Sequence, residues 1–259
     1  MQQLNDSIIL RLLETTTNPT SLSHASRRFH SLWTLSSARS NWLLRQNQDP
    51  TTALQSACTK HRDDGTVANL LARFTFTPHW LAHCLLDVCM LPAPTASYPS
   101  QPSSTTLPPS VVRALLAAAP DLEADMSLYL RAQLFGGPGS ASSKIEIGWL
   151  LNEAYRAPYI QCGVAALFFA SWRGHVDAVV ALLDHVPAVG PRLDASALDH
   201  VALVVAARDG KADVVEVLLR HGASAKARDG LARKVASRGG YADVVKLLDD
   251  WAAAPFVSN

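Results

Sequence analysis

Two histidines and two cysteines cluster within residues 79–89 and are the side chains of this sequence best suited to bind a metal ion. They are His79, His83, Cys84 and Cys89, and imidazole with thiolate is a common ligand set for zinc. His79 and His83 would share one face of a helix, but the adjacent His83 and Cys84 would project about 100° apart. The sequence contains no CxxC pair. We therefore interpret the cysteines as buried structural residues and assign no metal ligand, with zinc binding as the alternative.

Motifs that carry catalytic chemistry are absent from the sequence. The glycine-rich loop GGPGSASSK at residues 136–144 precedes a predicted helix, as a phosphate-binding loop does. It lacks the Gly-Lys-Ser/Thr ending and no strand precedes it, so we interpret it as a connection between helices. There is also no GxSxG, no HExxH and no pair of carboxylates spaced for acid–base catalysis. We predict that the protein is not an enzyme, and we assign no catalytic residue and no cofactor.

Composition and charge indicate a folded protein with no preference for polyanions. Of the 259 residues, 48% are hydrophobic and 17% are charged, which disfavours disorder along the whole chain. The formal net charge is +1, so we expect neither nucleic acid nor an anionic membrane as a partner. No apolar run approaches the ~18 residues of a membrane span, and the N-terminal residues do not resemble a secretory signal. Four dispersed cysteines fit reduced thiols, so we expect a cytoplasmic or nuclear location.

A helical hairpin recurs in the second half of the sequence. The segment Gly163–His185 contains two apolar runs with helical spacing on either side of Gly174, which can adopt the left-handed conformation that ends a helix. Similar segments follow, GKADVVEVLLRHGAS from Gly210 and GYADVVKLLDD from Gly240. The three glycines are spaced by about 33 residues on average, a period typical of repeat proteins. A single hairpin cannot bury both of its faces, so we predict that these hairpins stack on one another.

The recurring positions resemble the ankyrin-repeat family, in which a first helix with paired alanines ends at a Gly-His turn. The matching residues are Leu167, Ala170, Gly174 and His175 in one unit, Leu203, Ala206, Ala207 and Gly210 in the next, and Ala236 and Gly240 in the last. The family's Thr-Pro-Leu-His opening is missing, since residues 165–168 and 201–204 are apolar. The resemblance implies an all-α solenoid of stacked helical hairpins, which we place at residues 51–252.

The first part of the predicted solenoid is less regular than the second. We interpret segments 51–71, 78–119 and 125–155 as three divergent hairpins, which with the three clear units makes six. Residues 92–110 interrupt one of these hairpins and are rich in proline, serine and threonine. Such a composition cannot form a packed core, so we predict a disordered insertion there.

The ankyrin resemblance also implies a surface for protein partners. In that family, partners contact a concave face formed by loop tips and by the two variable residues that end each first helix. The corresponding variable residues are Trp172, Arg173, Arg208, Asp209 and Arg238, and the loop-tip residues are Val164, His200 and Leu231. Tryptophan and arginine often dominate the binding energy of interfaces, so we expect Trp172 to be exposed on this surface. The alternative is a core position, since Trp172 ends a very apolar helix.

Residues 1–46 resemble a different motif. The segments LNDSIILRLLE, SLSHASRRFHSLW and SNWLLRQ are similar to the three helices of an F-box. The resemblance implies that Leu4, Ile8 and Ile9 bind the adaptor subunit of a cullin–RING ubiquitin ligase. Asn5 stands where that family has proline. The alternative is a helical cap that shields the first repeat, and the sequence does not distinguish the two.

The sequence therefore predicts non-enzymatic protein–protein recognition. In the more specific form of this hypothesis, the repeats hold a substrate and the N-terminal segment holds the adaptor of a ubiquitin ligase. The alternatives are a plain ankyrin scaffold or inhibitor with a helical cap, and a metal-binding protein or an enzyme.

Overall fold

The computed structural model describes residues 6–17, 19, 27–91, 109–135, 141–153, 159–187 and 190–253. Within these ranges the chain forms fifteen α-helices, and the only β-type pairing there is an isolated bridge between Asp125 and Gln161. The predicted all-α class is therefore confirmed. No helix in the described ranges is long and apolar enough to cross a membrane. The chain divides into two compact units, residues 1–77 and 78–259.

The first unit is built on one central helix. Its helices are α1 (Asp6–Thr15), α2 (Arg27–Trp33), α3 (Ser36–Asn47), α4 (Pro50–Ser56), which continues into a π-helical turn (Ala57–His61), and α5 (Asp64–Arg73). Helices α1, α4 and α5 each pack on α3. Leu13, Leu43, Leu54 and Leu70 are at most 2% exposed, so they form the core of this unit.

The helices at residues 50–73 differ from the solenoid that the sequence places from residue 51 onwards. They pack on α3 within the first unit, and the boundary between the two units falls after Thr77. The physical reason is that α3 has apolar positions to cover, Ala38 and Leu43, which are 1% and 2% exposed. Helices α4 and α5 supply the apolar partners that this burial requires.

The second unit contains ten helices. In chain order they are α6 (Pro78–Cys89), α7 (Pro109–Ala117), α8 (Ser127–Phe135), α9 (Ala141–Glu153), α10 (Cys162–Arg173), α11 (Val176–Asp184), α12 (Ala197–Arg208), α13 (Ala212–Arg220), α14 (Ala227–Gly239) and α15 (Ala242–Ala253). The insertion predicted at residues 92–110 lies outside the described residues, except for Pro109 and Ser110, which begin α7.

Eight of these helices form four stacked hairpins. Helices α6, α10, α12 and α14 pack side by side as an inner layer, and α7, α11, α13 and α15 form an outer layer. Leu182 and Leu218 occupy equivalent positions in α11 and α13, and both are fully buried. The stacking predicted from the recurring segments is therefore confirmed for these hairpins.

The same turn joins the two helices in three of the hairpins. In each, the N–H that follows a glycine donates to a carbonyl oxygen five residues earlier, and the pairs are His175 with Ala170 at 2.9 Å, Lys211 with Ala206 at 2.9 Å, and Tyr241 with Ala236 at 3.0 Å. The glycines have φ of 78°, 68° and 77°, a left-handed conformation that allows the chain to reverse. At Gly210 the ring of Tyr241 also lies where a β-carbon would be. Glycine is therefore required there for both its φ and its size.

Three consecutive residues in the left-handed conformation precede the regular part of two inner helices. Residues 198–200 have φ of 49°, 56° and 60°, and residues 228–230 repeat this turn before α14. Non-glycine residues rarely adopt this conformation, which costs roughly 1–2 kcal/mol for each residue. A hydrogen bond from the Ser224 N–H to Nδ1 of His200, at 3.2 Å, ties the first of these turns to the next hairpin and offsets part of the cost.

Helices α8 and α9 form a fifth hairpin, the inserted hairpin, which is not a member of the stack. It lies in the connection between the first two stacked hairpins, and α6 packs directly on α10. Backbone hydrogen bonds close the base of this connection, from Met126 to Ile160 at 2.8 Å and from Cys162 to Ala124 at 2.9 Å. Because the two ends of the insertion meet, the stack continues past it. The prediction of six repeat units is therefore wrong, since the described residues contain four stacked hairpins and the inserted one.

We expect Leu218→Ala to lower the free energy of unfolding by about 2–5 kcal/mol, because loss of a buried leucine side chain forfeits transfer free energy and leaves a cavity. The matched control is Leu128→Ala on α8, where the side chain is 80% exposed. Its expected change is within about 0.5 kcal/mol. Urea unfolding followed by circular dichroism measures both variants. Equal effects of the two substitutions would contradict the stack described above.

Candidate interaction surface on the inner helices

The inner helices are more buried than the sequence predicts. Every residue of α10 from Cys162 to Trp172 is buried. Trp172 is only 7% exposed, with its ring edge-on to Phe169 at 6.2 Å and the Cζ of Arg173 3.8 Å above its centroid. Val164 is also 7% exposed. The exposure predicted for Trp172 is therefore wrong, and Val164, predicted as a loop-tip contact, is buried too, because α10 packs between α6 and α12 in the inner layer.

The other residues predicted to contact a partner differ in how accessible they are. Arg173 donates a hydrogen bond from Nε to a backbone carbonyl oxygen just after α6 at 3.2 Å, and its pKa is lowered by burial, which the nearby Glu146 opposes. His200 holds the left-handed turn described above. Leu231 is half-buried, whereas Arg238 is exposed near the end of α14. Arg238 is thus the member of this predicted group that a partner can reach without any rearrangement.

Arg208, at the end of α12, is held by two carboxylates and an aromatic ring. Its guanidinium forms ion pairs of 2.8 Å with Glu146 and with Asp209, and its Cζ lies 5.0 Å from the ring centroid of Trp149. Burial by itself lowers the pKa of Arg208, but the interactions with Asp209 and Glu146 outweigh this effect and raise the pKa. The predicted contact residues Arg208 and Asp209 are therefore already engaged, with each other and with the inserted hairpin.

The inserted hairpin contacts the inner helices of three successive stacked hairpins. Tyr129 of α8 donates a hydrogen bond to Asp87 of α6, and its ring centroid lies 4.5 Å from that of His83. Trp149 of α9 packs against Phe168 of α10 with ring centroids 5.5 Å apart, and the ion pair described above reaches α12. The hairpin therefore lies across the inner layer. This contact is absent from the predictions made from the sequence, although the glutamate and tryptophan of α9 are three residues apart and so share a helix face.

The residues considered as zinc ligands separate into a histidine pair and two buried thiols. The Nε2 atoms of His79 and His83 are 3.2 Å apart, while Cys84 and Cys89 are 1% and 0% exposed. Burial raises the pKa of Cys89 to about 12 and so opposes the thiolate that a metal requires. Among the described residues, no group of three or more potential ligands comes together. This geometry agrees with the interpretation of buried structural cysteines.

In the first unit, α1 presents one aliphatic pair to solvent and buries another. Ile8 and Leu12 are 47% and 45% exposed, whereas Ile9 and Leu13 are 2% and 0% exposed. Of the residues predicted to bind a ligase adaptor, Ile8 is accessible and Leu4 lies outside the described residues. Ile9 is not available for such a contact, because it shares the inward face of α1 with Leu13, one helical turn away.

We expect all the cysteines of the native protein to be nearly unreactive towards Ellman's reagent, because each one is buried and only the thiolate attacks. At about pH 8 an exposed cysteine is partly ionised and reacts quickly. In guanidinium chloride the four thiols should all titrate, and this unfolded sample is the control. Fast reaction of any thiol in the folded protein would contradict the burial described here.

Comparison with known proteins identifies one segment of the chain. A family model for the ankyrin repeat matches residues 199–230, a segment that includes the regular part of α12, all of α13 and the left-handed turn that follows. No curated protein and no solved structure matches the chain. The matched segment forms one helical hairpin of the stack, with the turn at Gly210 that recurs in its neighbours. The chain therefore contains an ankyrin repeat at residues 199–230.

Proposed function

We propose that the second unit is a protein-binding module whose contact surface follows its inner layer. An ankyrin repeat is a protein–protein interaction module, and here it is the third of four stacked hairpins. The observation that carries the proposal is this side-by-side packing of the inner helices, since stacked repeats present an elongated surface to a partner. The proposal involves no catalytic step and no cofactor.

The last inner helix offers the most accessible part of this surface. Lys234 and Arg238 are exposed on α14, and the ring of Tyr241, just after it, is 39% exposed. Arginine and tyrosine are enriched among the residues that dominate binding energy, because they combine apolar area with directed hydrogen bonds. The positive charge of α14 suits a partner that presents acidic side chains.

We expect Arg238→Glu to weaken binding of the partner by about 2 kcal/mol, the scale of a dominant interface residue, because it reverses a charge at the contact. The matched control is Arg220→Glu, which reverses a charge on the outer layer where the side chain is 65% exposed. The wild-type chain and the two variants are each used for affinity capture from a cell lysate, and quantitative mass spectrometry compares the proteins that they capture. If the wild type and both variants capture the same proteins, or if both variants lose a protein to the same extent, the partner does not use the end of α14.

We further propose that the first unit binds the adaptor subunit of a cullin–RING ubiquitin ligase in the cytoplasm or nucleus. Support comes from the resemblance of residues 1–46 to an F-box and from the exposure of Ile8 and Leu12 on one helix. In this arrangement the chain is a substrate receptor, and the second unit holds the substrate. The alternative is an ankyrin scaffold or inhibitor whose N-terminal helices only shield the repeats.

We expect the double substitution Ile8→Asp with Leu12→Asp to abolish co-purification with the adaptor. A carboxylate buried at that contact without a partner costs several kcal/mol. Leu128→Asp, at an exposed position of the second unit, is the control and should retain the adaptor. The cap alternative gives a different result, with no adaptor in any sample and a lower thermal midpoint for the double variant. Adaptor that remains bound to the double variant would contradict the proposed contact.

A further inference from the structure

Two side chains of α9, one helical turn apart, contact the inner layer, and Ile147 and Leu150 of the same helix are also buried, at 1% and 0% exposed. The Glu146 side chain is 9% exposed and forms its 2.8 Å ion pair with Arg208. The ring of Trp149 lies between Phe168, at 5.5 Å, and the Arg208 guanidinium, at 5.0 Å. A carboxylate and an aromatic ring of α9 are therefore matched by a cation and an aromatic ring of the stack.

The stack does not depend on this contact for its continuity. Helix α6 packs directly on α10, and α10 on α12, so the inner helices contact one another without the inserted hairpin. The base of the insertion is closed by backbone hydrogen bonds between Met126 and Ile160. These hydrogen bonds do not involve α9, so the two ends of the insertion stay joined if α9 is displaced.

We propose that the surface formed by Phe168 and Arg208 binds a peptide segment that carries a carboxylate and an aromatic side chain one helical turn apart, and that α9 is its resident intramolecular occupant. The partner displaces α9 and takes over its ion pair and its ring contact. This inference rests on the protein-binding function proposed above and names the chemistry of the partner.

Because α9 is tethered to the surface that it occupies, a partner needs a minimum affinity to displace it. A segment linked through short connections competes at an effective concentration of about millimolar. The apparent affinity of an external segment is reduced by the fraction of molecules in which the surface is open. Only a partner with a better match to this surface, or one that also contacts another part of the inner layer, displaces α9.

The probe for the experiment is a fluorescent peptide with the sequence of residues 141–153, ASSKIEIGWLLNE. It is titrated by fluorescence anisotropy into the full chain and into an opened variant, Glu146→Ala with Trp149→Ala, whose own α9 lacks the ion pair and the ring contacts with the surface. The matched control is Lys144→Ala with Ile145→Ala. These residues belong to the same helix, and Ile145 is 68% exposed, so this change leaves the contact intact.

We expect the opened variant to bind the peptide at least about tenfold more tightly than the wild-type chain, since the competing occupant is weakened. The control should bind it as the wild type does. Adding Arg208→Ala to the opened variant should weaken binding by about tenfold, because the peptide carboxylate loses its partner. Equal affinity of the opened variant and the wild type, or an opened variant unaffected by Arg208→Ala, overturns the proposal.

A measurement on the wild-type chain keeps the proposal testable if the opened variant does not fold. Excess unlabelled peptide should accelerate hydrogen exchange of residues 141–153 in isotopically labelled protein, while α10 and α12 keep their protection. No acceleration overturns the proposal. Light scattering should give a monomer for the wild-type chain, and a dimer formed by exchange of α9 between two copies overturns the intramolecular assignment.

The experiments distinguish a failure of the proposed protein-binding function from a failure of the proposed displacement of α9. If the peptide binds as described but lysate capture does not depend on Arg238, the contact at the end of α14 is wrong and the occupied surface stands. If capture depends on Arg238 while the peptide does not distinguish the opened variant from the wild type, the protein-binding function stands and α9 is a fixed part of the stack.

Discussion

The burial of α10 on all of its sides is the constraint on which the second unit depends. An amphipathic helix needs one apolar neighbour, but a helix whose residues are buried without a break from Cys162 to Trp172 needs neighbours all round it. Helices α6 and α12 flank it in the inner layer, α11 covers it from the outer layer, and Trp149 of α9 packs on its Phe168. The sequence leaves no polar face on this segment, so the hairpin that contains it cannot be stable alone. Stacking is thus a requirement of α10 itself.

The inserted hairpin changes what the inner layer presents to solvent. In a plain stack, the ends of α10 and α12 are accessible, and an arginine there is an obvious contact for a partner. In this chain Arg208 is paired with Glu146 and lies beside Trp149, both supplied by the chain itself. Side chains of α9 therefore make the contacts to Arg208 that a partner would make in a stack without the inserted hairpin. Further along the stack, Lys234 and Arg238 of α14 are exposed charges of the inner layer.

The sequence predicted the features that depend on local spacing. The three glycine turns and the stacking of the hairpins follow from helical periodicity and from the need for left-handed residues. It could not predict the place of α8 and α9, because no local signal distinguishes a helix inside a stack from one laid across it. That distinction depends on contacts between residues far apart in the chain, such as the pair formed by Arg208 and Glu146.

The candidate site was less predictable than the fold for the same reason. Trp172 ends an apolar helix next to a turn, a position compatible with either a core or a surface role, and only the neighbouring helices decide between them. On α1, the adjacent Ile8 and Ile9 are chemically alike, yet one is exposed and the other buried. Which of the two faces inward depends on how α1 packs on α3. Residue type identifies candidates for contact, and tertiary packing selects among them.

The position of the inserted hairpin in the sequence also has a consequence for folding during synthesis on the ribosome. The first stacked hairpin is synthesised well before α10, the neighbour that covers its inner helix, because α8 and α9 come between them. The later hairpins follow one another closely, so their contacts are local in sequence and form early once that part emerges. A nascent chain therefore holds an uncovered α6 for an extended period, and chaperones should recognise this stretch during translation.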